Sequence, residues 1–196
     1  MSLCFKVTGL FYETSGHKCR KFLDIRREGS RSSQPDLMVV MMNPGSSYPK
    51  DGIDNNSVPS DAHPDDTQHQ IMKVLDAASL DYARILNLSD LRTPNSPSLY
   101  RFLKSEEASQ IDHSIFSDSR TDELGELFVQ GVPVIFGWGV NPCLVPLAKR
   151  AVEALNIDRP LGILKENTDF SYYHPLPRIH SKKIEWVEHV TGQLLT

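Results

Sequence analysis

The feature that most constrains the fold of this sequence is an uninterrupted apolar run, residues 37–42 (LMVVMM), followed at once by Asn43-Pro44-Gly45. Six apolar residues in a row are typical of a strand buried on both faces, as in parallel sheets covered by helices on each side. Pro44 and Gly45 end this strand. Asn43 is therefore predicted to lie at the carboxyl end of a strand, where open α/β sheets bind their ligands.

Strands and helices are predicted to alternate from this run to the end of the chain. Helical spacing of apolar residues predicts helices over about 141–155 and 182–195, with Ser181 capping the second, and Thr67 is predicted to cap an earlier helix. Crossovers of this length join parallel strands. We therefore expect an α/β fold, a three-layer α/β/α sandwich with a mostly parallel central sheet of about four strands, at residues 37–42, 83–88, 132–136 and 161–164.

The start of the chain differs in pattern. Residues 4–12 and 19–26 predict two strands of an antiparallel hairpin, joined by a turn-rich connection. We expect this hairpin to add edge strands to the sheet. A length of 196 residues suits one domain over residues 1–196.

Composition limits the classes of partner. The net charge of -4 argues against a broadly basic nucleic-acid-binding protein. Two basic clusters are predicted to be solvated faces, although a local basic rim stays open as an alternative: Lys18, Arg20, Lys21, Arg26 and Arg27, and then Arg178, His180, Lys182 and Lys183. The three cysteines have no zinc-site or disulfide spacing, and no segment has the pattern of a leader or membrane span. The sequence favours a cytoplasmic protein without a membrane partner.

Two loops carry the candidate chemistry, and we expect them to face each other across one cleft. Asn43 can hold a water or bind an amide edge, or it can be a turn residue that bonds its own backbone. His174, in the loop 172–178, can donate a hydrogen bond to a developing anion, or it can be an ordinary surface histidine. Leu176 can wedge into a base stack or fold back onto the core.

Further polar and aromatic residues are expected around this cleft. The backbone amides near Gly45, Ser46 and Ser47 can bind a phosphate, and an aromatic residue can stack on a base. The candidate ligand-binding residues are Pro44, Gly45, Ser46, Ser47, Asn87, Arg92, Trp138, Tyr173, Leu176 and Arg178. No catalytic serine elbow, Walker loop or dinucleotide fingerprint occurs in the sequence.

Aspartates in the long segment 44–66 offer a different chemistry. Carboxylates are the ligands that Mg²⁺ prefers, so a magnesium-dependent hydrolase is an alternative built on Asp51, Asp54, Asp61, Asp65 and Asp66. Asp65 and Asp66 also suit the start of a helix, which is the structural alternative. Loops of this length are usually lids or disordered segments.

The motifs resemble those of two families. Five motifs resemble those of an uncharacterised bacterial family of unknown function, and the resemblance covers about residues 20 to 178. The motifs are Met42-Asn43-Pro44-Gly45-Ser46-Ser47, Asp65-Asp66-Thr67, Leu86-Asn87-Leu88 with Arg92, Trp138-Gly139 and His174-Pro175-Leu176. Asn43-Pro44-Gly45 and His174-Pro175-Leu176 are also similar, more weakly, to two motifs of the uracil-DNA glycosylase superfamily, especially its mismatch-specific branch.

The second resemblance implies roles for these residues. Asn43 would position the attacking water, His174 would face the developing base anion, and the residues after it would invade a duplex. Leu176 stands where that superfamily has serine, and position 43 lacks the aspartate of its most active branch. The resemblance implies a glycosylase-like protein that binds a nucleobase-containing ligand or DNA, without metal or cofactor. The alternative is a non-catalytic module that binds a nucleotide or a small phosphate ligand.

Overall fold

A seven-stranded mixed sheet forms the centre of the molecule, in a computed structural model that describes residues 4–93 and 95–196. The strand order is β4-β5-β1-β2-β6-β3-β7. The strands are β1 (Phe5–Thr14), β2 (His17–Arg27), β3 (Leu37–Met41), β4 (Tyr48–Pro49), β5 (Ser60–His63), β6 (Tyr82–Asn87) and β7 (Val134–Gly137).

Antiparallel pairing dominates this sheet. Strand β3 pairs in parallel with β6 and β7, whereas β1–β2, β1–β5, β2–β6 and β4–β5 are antiparallel. The prediction of a sandwich around a mostly parallel sheet of about four strands is therefore wrong, although the chain is α/β overall. Only the stretch β6-β3-β7 has the expected parallel order.

Three features of the strand pairing explain the difference. Strand β2 pairs with β6, with Leu23 opposite Ile85. The hairpin β1–β2 therefore lies inside the sheet, between β5 and β6, and not at its edge. Residues 161–164, predicted as a strand, make only isolated bridges, from Leu161 to Ile135 and from Leu164 to Tyr172. Strands β4 and β5 lie in the polar segment 44–66, where no apolar alternation could signal them.

Helices cover both faces of the sheet. Ile71, Leu75 and Trp186 pack on one face, whereas Leu99, Leu124 and Leu147 pack on the other. The helices are α1 (Asp66–Ala77), α2 (Ser96–Leu103), α3 (Glu107–Gln110), α4 (Thr121–Leu127), α5 (Val145–Leu155) and α6 (His180–Leu194). Short 3₁₀ turns precede α4 and α5. Within the described ranges, no helix combines the length and apolar character that a membrane span requires.

The helix that borders the site begins two residues earlier than predicted. Asp65, not Thr67, is the N-cap of α1, and its carboxylate accepts from the backbone N–H groups of Thr67 and Gln68. The Gln68 side chain accepts in return from the Asp65 N–H at 2.8 Å, which completes a capping box. The start of α6 at His180 likewise differs from the predicted cap at Ser181, and no side chain caps it.

Candidate functional site

A cavity of about 440 Å³ opens where β3 and β6 end. The two loops that carry the sequence motifs both line it, because β3 leads directly into Asn43 and the loop 172–176 crosses the sheet edge beside β7. Eight of the predicted site residues contribute to its wall: Asn43, Pro44, Gly45, Ser46, Asn87, Trp138, His174 and Leu176.

Four predicted site residues do not line this cavity. Ser47 is buried behind the loop, and the Arg92 guanidinium forms an ion pair with Asp54 and lies over the Phe11 ring. Tyr173 is 44% exposed, and Arg178 is exposed as well.

Asn43 is held in one orientation by its amide nitrogen. The Nδ2 group donates to the Leu91 and Thr93 carbonyl oxygens, each at 3.1 Å, and to Thr93 Oγ1 at 2.9 Å. With three acceptors around the nitrogen, Oδ1 is the atom left for a ligand or water. An asparagine amide has no basicity at neutral pH, so this oxygen can orient a water but cannot deprotonate it.

Asn87 connects this asparagine to the floor of the cavity. In the amide orientation that satisfies both neighbours, Asn87 donates to the Asn43 carbonyl oxygen and accepts from Arg20 Nη2, each at 3.2 Å. Asn87 is fully buried at the end of β6. It therefore braces the turn after β3 instead of offering a free edge to solvent.

Arg20 is the main cavity residue that sequence reasoning missed. Predicted to belong to a solvated basic face, its side chain is only 1% exposed. A β-bulge explains the error, because Leu10 pairs with Phe22 whereas Phe11 pairs with Arg20. Lys21 is therefore an extra residue in β2, and the alternation of side chains between the two faces of the sheet shifts by one residue there. Burial lowers the pKa of Arg20 to about 10, against the opposing effect of the Asp65 and Asp90 carboxylates. The guanidinium thus keeps its charge at neutral pH.

Asp65 adds a carboxylate to the same wall. One oxygen, Oδ1, is used by the helix cap at 2.9 and 3.1 Å. A side-chain carbon on Gly45 would lie 3.0 Å from the other oxygen, Oδ2, and Gly45 has a φ of +63°. Glycine is favoured here for both reasons, since it permits the left-handed turn and the close approach of the carboxylate.

His174 is a neutral histidine with a defined tautomer. Burial lowers the pKa of His174 to about 4, so the ring is uncharged at neutral pH. Its Nδ1 accepts a hydrogen bond from the Leu176 backbone N–H at 3.1 Å. The proton therefore resides on Nε2, which makes no hydrogen bond to the described part of the chain and is available as a donor to a ligand.

The loop that carries His174 is fixed on both sides. Tyr173 N donates to the Ile163 carbonyl at 2.8 Å, and Trp186 Nε1 donates to the Tyr173 carbonyl at 3.1 Å. Gln70 Nε2 donates to the Pro175 carbonyl at 3.2 Å. The imidazole is thus held in place before any ligand arrives. Leu176 is half-buried at the cavity wall.

Aromatic side chains complete the wall. Trp138 is fully buried against Phe136 and Tyr172, and its Nε1 donates to the Phe170 carbonyl at 2.7 Å. Its indole is thus part of the core as well as of the cavity. Tyr100, one of the aromatic residues that the sequence offers for stacking on a base, also lines the cavity.

The aspartates of the long segment have other partners. Asp54 pairs with Arg92 and Lys18, Asp61 with Lys6, and Asp65 caps α1. Asp51 Oδ1 accepts from the Ile53 N–H at 3.0 Å. Across residues 4–93 and 95–196, no group of three or more His, Cys, Asp or Glu side chains is arranged to hold a metal ion. The magnesium alternative therefore has no geometric support in this part of the chain.

The family comparison matches residues 24–176 to a family described as "Protein of unknown function (DUF1643)". The match covers most of the chain. The protein belongs to the DUF1643 family. The matched range includes both loops of the cavity, from Asn43 to Leu176, whereas Arg20 and helix α6 lie outside it.

Other comparisons add no relative to the DUF1643 assignment. No curated protein matches the chain. No solved structure matches it. The predicted resemblance to an uncharacterised family is confirmed. The resemblance to uracil-DNA glycosylases has no support from these searches and stays a prediction from two motifs.

Proposed function

We propose that this protein binds a nucleobase-containing ligand in the cavity and hydrolyses its N-glycosidic bond. The observation that carries the proposal is the neutral His174, whose Nδ1 is occupied and whose Nε2–H is free of partners in the described chain. A donor fixed in a partly buried site stabilises negative charge that develops on a leaving group. Departure of a nucleobase places such charge on its ring.

The same cavity offers a place for the water. Asn43 Oδ1 has a fixed direction because Nδ2 is held by three acceptors. A water that donates to Oδ1 attacks the anomeric carbon as the bond to the base nitrogen breaks. The electron pair of that bond stays on the base, where His174 Nε2–H donates to the ring anion. The sugar gains the hydroxyl group and the base gains the proton, so the overall reaction is a simple hydrolysis.

The mixture of polar groups supports a base as the ligand. Arg20 and His174 are donors, whereas Asn43 Oδ1 and Asp65 Oδ2 are acceptors. Apolar side chains line the same cavity, among them Met41, Trp138 and Leu176. Nucleobases combine donors and acceptors on their edges with apolar faces, which is the pattern that such a wall complements.

Release of free base is the direct test of this activity. The full chain is incubated with uracil-containing duplex, mismatch-containing duplex, single strands and free nucleosides, and products are separated by chromatography. The proposal predicts free base from at least one of these substrates. Absence of base above the no-protein background in all of them would remove the hydrolytic function.

A second function is favoured by one observation, the guanidinium of Arg20, whose Nε and Nη1 have no partner. Such a group suits a phosphate, as in a non-catalytic nucleotide-binding module. The carboxylates of Asp65 and Asp66 on the same wall oppose an anion. Thermal shift separates the two functions, because a ligand at a hundredfold excess over its Kd stabilises by about 2.7 kcal/mol. Stabilisation by nucleotides and inorganic phosphate, without base release, would favour the second function.

A further inference from the structure

Arg20 and Asp65 are opposite charges on one cavity wall that do not pair with each other. Arg20 has only one hydrogen bond from its guanidinium, to Asn87, and its Nε and Nη1 have no partner in the described chain. Asp65 uses Oδ1 for the helix cap, and among the described residues it forms no ion pair with Arg20. Both residues line the same cavity, and Asp65 is the carboxylate that most favours the charged form of Arg20.

A buried guanidinium with two unused donors is unusual, since buried polar groups are nearly always hydrogen-bonded. Leaving such donors unpaired is costly, and a ligand acceptor would remove that cost. The Asp65 Oδ2 oxygen, on the same cavity wall, is not used by the helix cap and can only accept. A group that satisfies both residues must therefore carry a hydrogen-bond acceptor and a hydrogen-bond donor, as the edge of a nucleobase does.

We propose that Arg20 and Asp65 recognise the edge of the base: the guanidinium donates to a ring acceptor and the carboxylate accepts from the adjacent N–H. This inference rests on the proposed function and names the residues that select its ligand. The ligand class is a nucleobase that presents an acceptor and an N–H side by side, as the carbonyl and N3–H of uracil do. A phosphate or carboxylate ligand satisfies Arg20 alone and is repelled by Asp65.

Methylation of the ligand tests the role of the carboxylate. Uridine, 3-methyluridine and cytidine are titrated separately into the full chain by calorimetry. Uridine is expected to bind, whereas the methyl group at N3 removes the N–H and leaves Asp65 unpaired. We expect 3-methyluridine to bind at least about tenfold more weakly, which corresponds to the loss of one hydrogen bond to a charged group.

Asp65→Asn tests the same contact from the protein side. Asparagine is as good an N-cap as aspartate, so its Oδ1 keeps the start of α1. Its Nδ2 replaces the acceptor Oδ2 of Asp65 by a hydrogen-bond donor. Two donors now face the base, which suits the adjacent O2 and N3 acceptors of cytidine and opposes uridine. The ratio of uridine to cytidine affinity is expected to fall about tenfold or more. Asp122→Asn, an exposed exchange in the first turn of α4, is the matched control and should leave the ratio unchanged.

Arg20→Gln tests the other half of the pair and should weaken uridine and cytidine together. The melting curve of Arg20→Gln shows whether this variant folds. If it does not fold, the comparison of uridine with 3-methyluridine and the Asp65→Asn variant still test the inference. Equal affinity for uridine and 3-methyluridine, with an unchanged ratio in Asp65→Asn, would overturn the inference but leave the proposed function standing. Failure of uridine and cytidine to bind the wild-type chain would overturn the inference as well, and it would overturn the proposed function only if no duplex or single strand released base either. Inorganic phosphate that binds the wild type and not Arg20→Gln would identify an anion site and also overturn the inference.

Discussion

The amide nitrogen of Asn43 and the hydroxyl oxygen of Thr93 are 2.9 Å apart, which ties the turn after β3 to the segment after β6. Two backbone carbonyls, of Leu91 and Thr93, accept from the same nitrogen. The site asparagine is therefore also a structural clamp between two neighbouring parallel strands. Its two functions can be separated, because only Nδ2 serves the clamp.

Asn43→Asp is expected to lower the free energy of unfolding by about 1–3 kcal/mol, since a carboxylate oxygen would replace the donor and face two carbonyl oxygens without a hydrogen bond. Urea denaturation measures the change. Asn141→Asp is the control, because Asn141 caps a 3₁₀ turn through its oxygen and aspartate caps equally well. An Asn43→Asp variant as stable as the wild type would show that the three acceptors do not fix the amide.

Thr93→Val removes one of the three acceptors and leaves both carbonyls in place. The expected loss of stability is about 0.5–1.5 kcal/mol, typical of one hydrogen bond. If Thr93 orients Asn43, the variant should also release base more slowly than the wild type under conditions where both proteins are fully folded. A variant with full activity at reduced stability would confine Thr93 to a structural role.

His174→Ala is expected to lower the rate of base release by about 10²–10³, the usual effect of removing one donor to a developing anion. The rate at saturating substrate is the relevant measurement. His113→Gln is the matched control, since His113 is also buried with a pKa lowered by burial but contacts Ser89 away from the cavity. A His174→Ala rate equal to that of His113→Gln would contradict the assigned role.

The contribution of His174 to the stability of the protein should decrease as the pH falls from about 6.5 to about 4. The pKa of His174 is about 4 in the folded protein, whereas an unfolded histidine titrates near 6.5. Within this window the unfolded state binds more protons, so acid favours unfolding. The stability contribution of the neutral ring is complete above the unfolded pKa and is lost as the pH falls through the folded value.

Comparison with His174→Gln isolates this effect. Asp90 acts in the opposite direction, because burial raises its pKa from 3.8 to about 6 and acid therefore favours the folded state in that range. Asp90 and His113 are present in both proteins, so their contributions cancel in the difference. The unfolding free energy of the wild type minus that of His174→Gln should therefore decrease as the pH falls from about 6.5 to about 4. A difference that stays constant with pH would contradict the buried neutral ring.

Gly162→Ala should destabilise the region behind the cavity. Gly162 has a φ of +125°, and a side-chain carbon there would lie 2.3 Å from the Phe136 carbonyl oxygen. We expect a loss of at least about 1–3 kcal/mol from the backbone strain alone. Gly125→Ala is the control, since Gly125 lies in α4 with open space around it, and alanine there should stabilise by about 0.5–1 kcal/mol. Similar effects of both substitutions in urea denaturation would contradict the close packing of Gly162.

How far the sequence predicts this molecule depends on the kind of signal each residue leaves. Strand β3 is evident because all of its residues are apolar and buried, and its end then locates Asn43 at the sheet edge. These signals are local patterns of hydrophobicity and turn residues. His174 comes to the same edge through the isolated bridges of Leu161 to Ile135 and of Tyr172 to Gly139, beside β7.

Other features leave no such trace. Arg20 faces the cavity because of a bulge whose position depends on pairing with β1, so single-strand alternation could not reveal it. The β2–β6 pairing is likewise a contact between distant segments, and it makes the sheet mixed. Asp65 was recognised as a helix-start residue, but its closeness to Gly45 and Arg20 depends on the path of the long segment 44–66.

The most direct measurement of the central claim is a crystal structure of the wild-type chain with a saturating nucleoside, or with the base it releases. The account predicts electron density for the base inside the cavity, within hydrogen-bond distance of His174 Nε2 and Arg20, and with Asn43 Oδ1 on the sugar side. A base bound elsewhere on the molecule, with this cavity holding only solvent, would contradict the account.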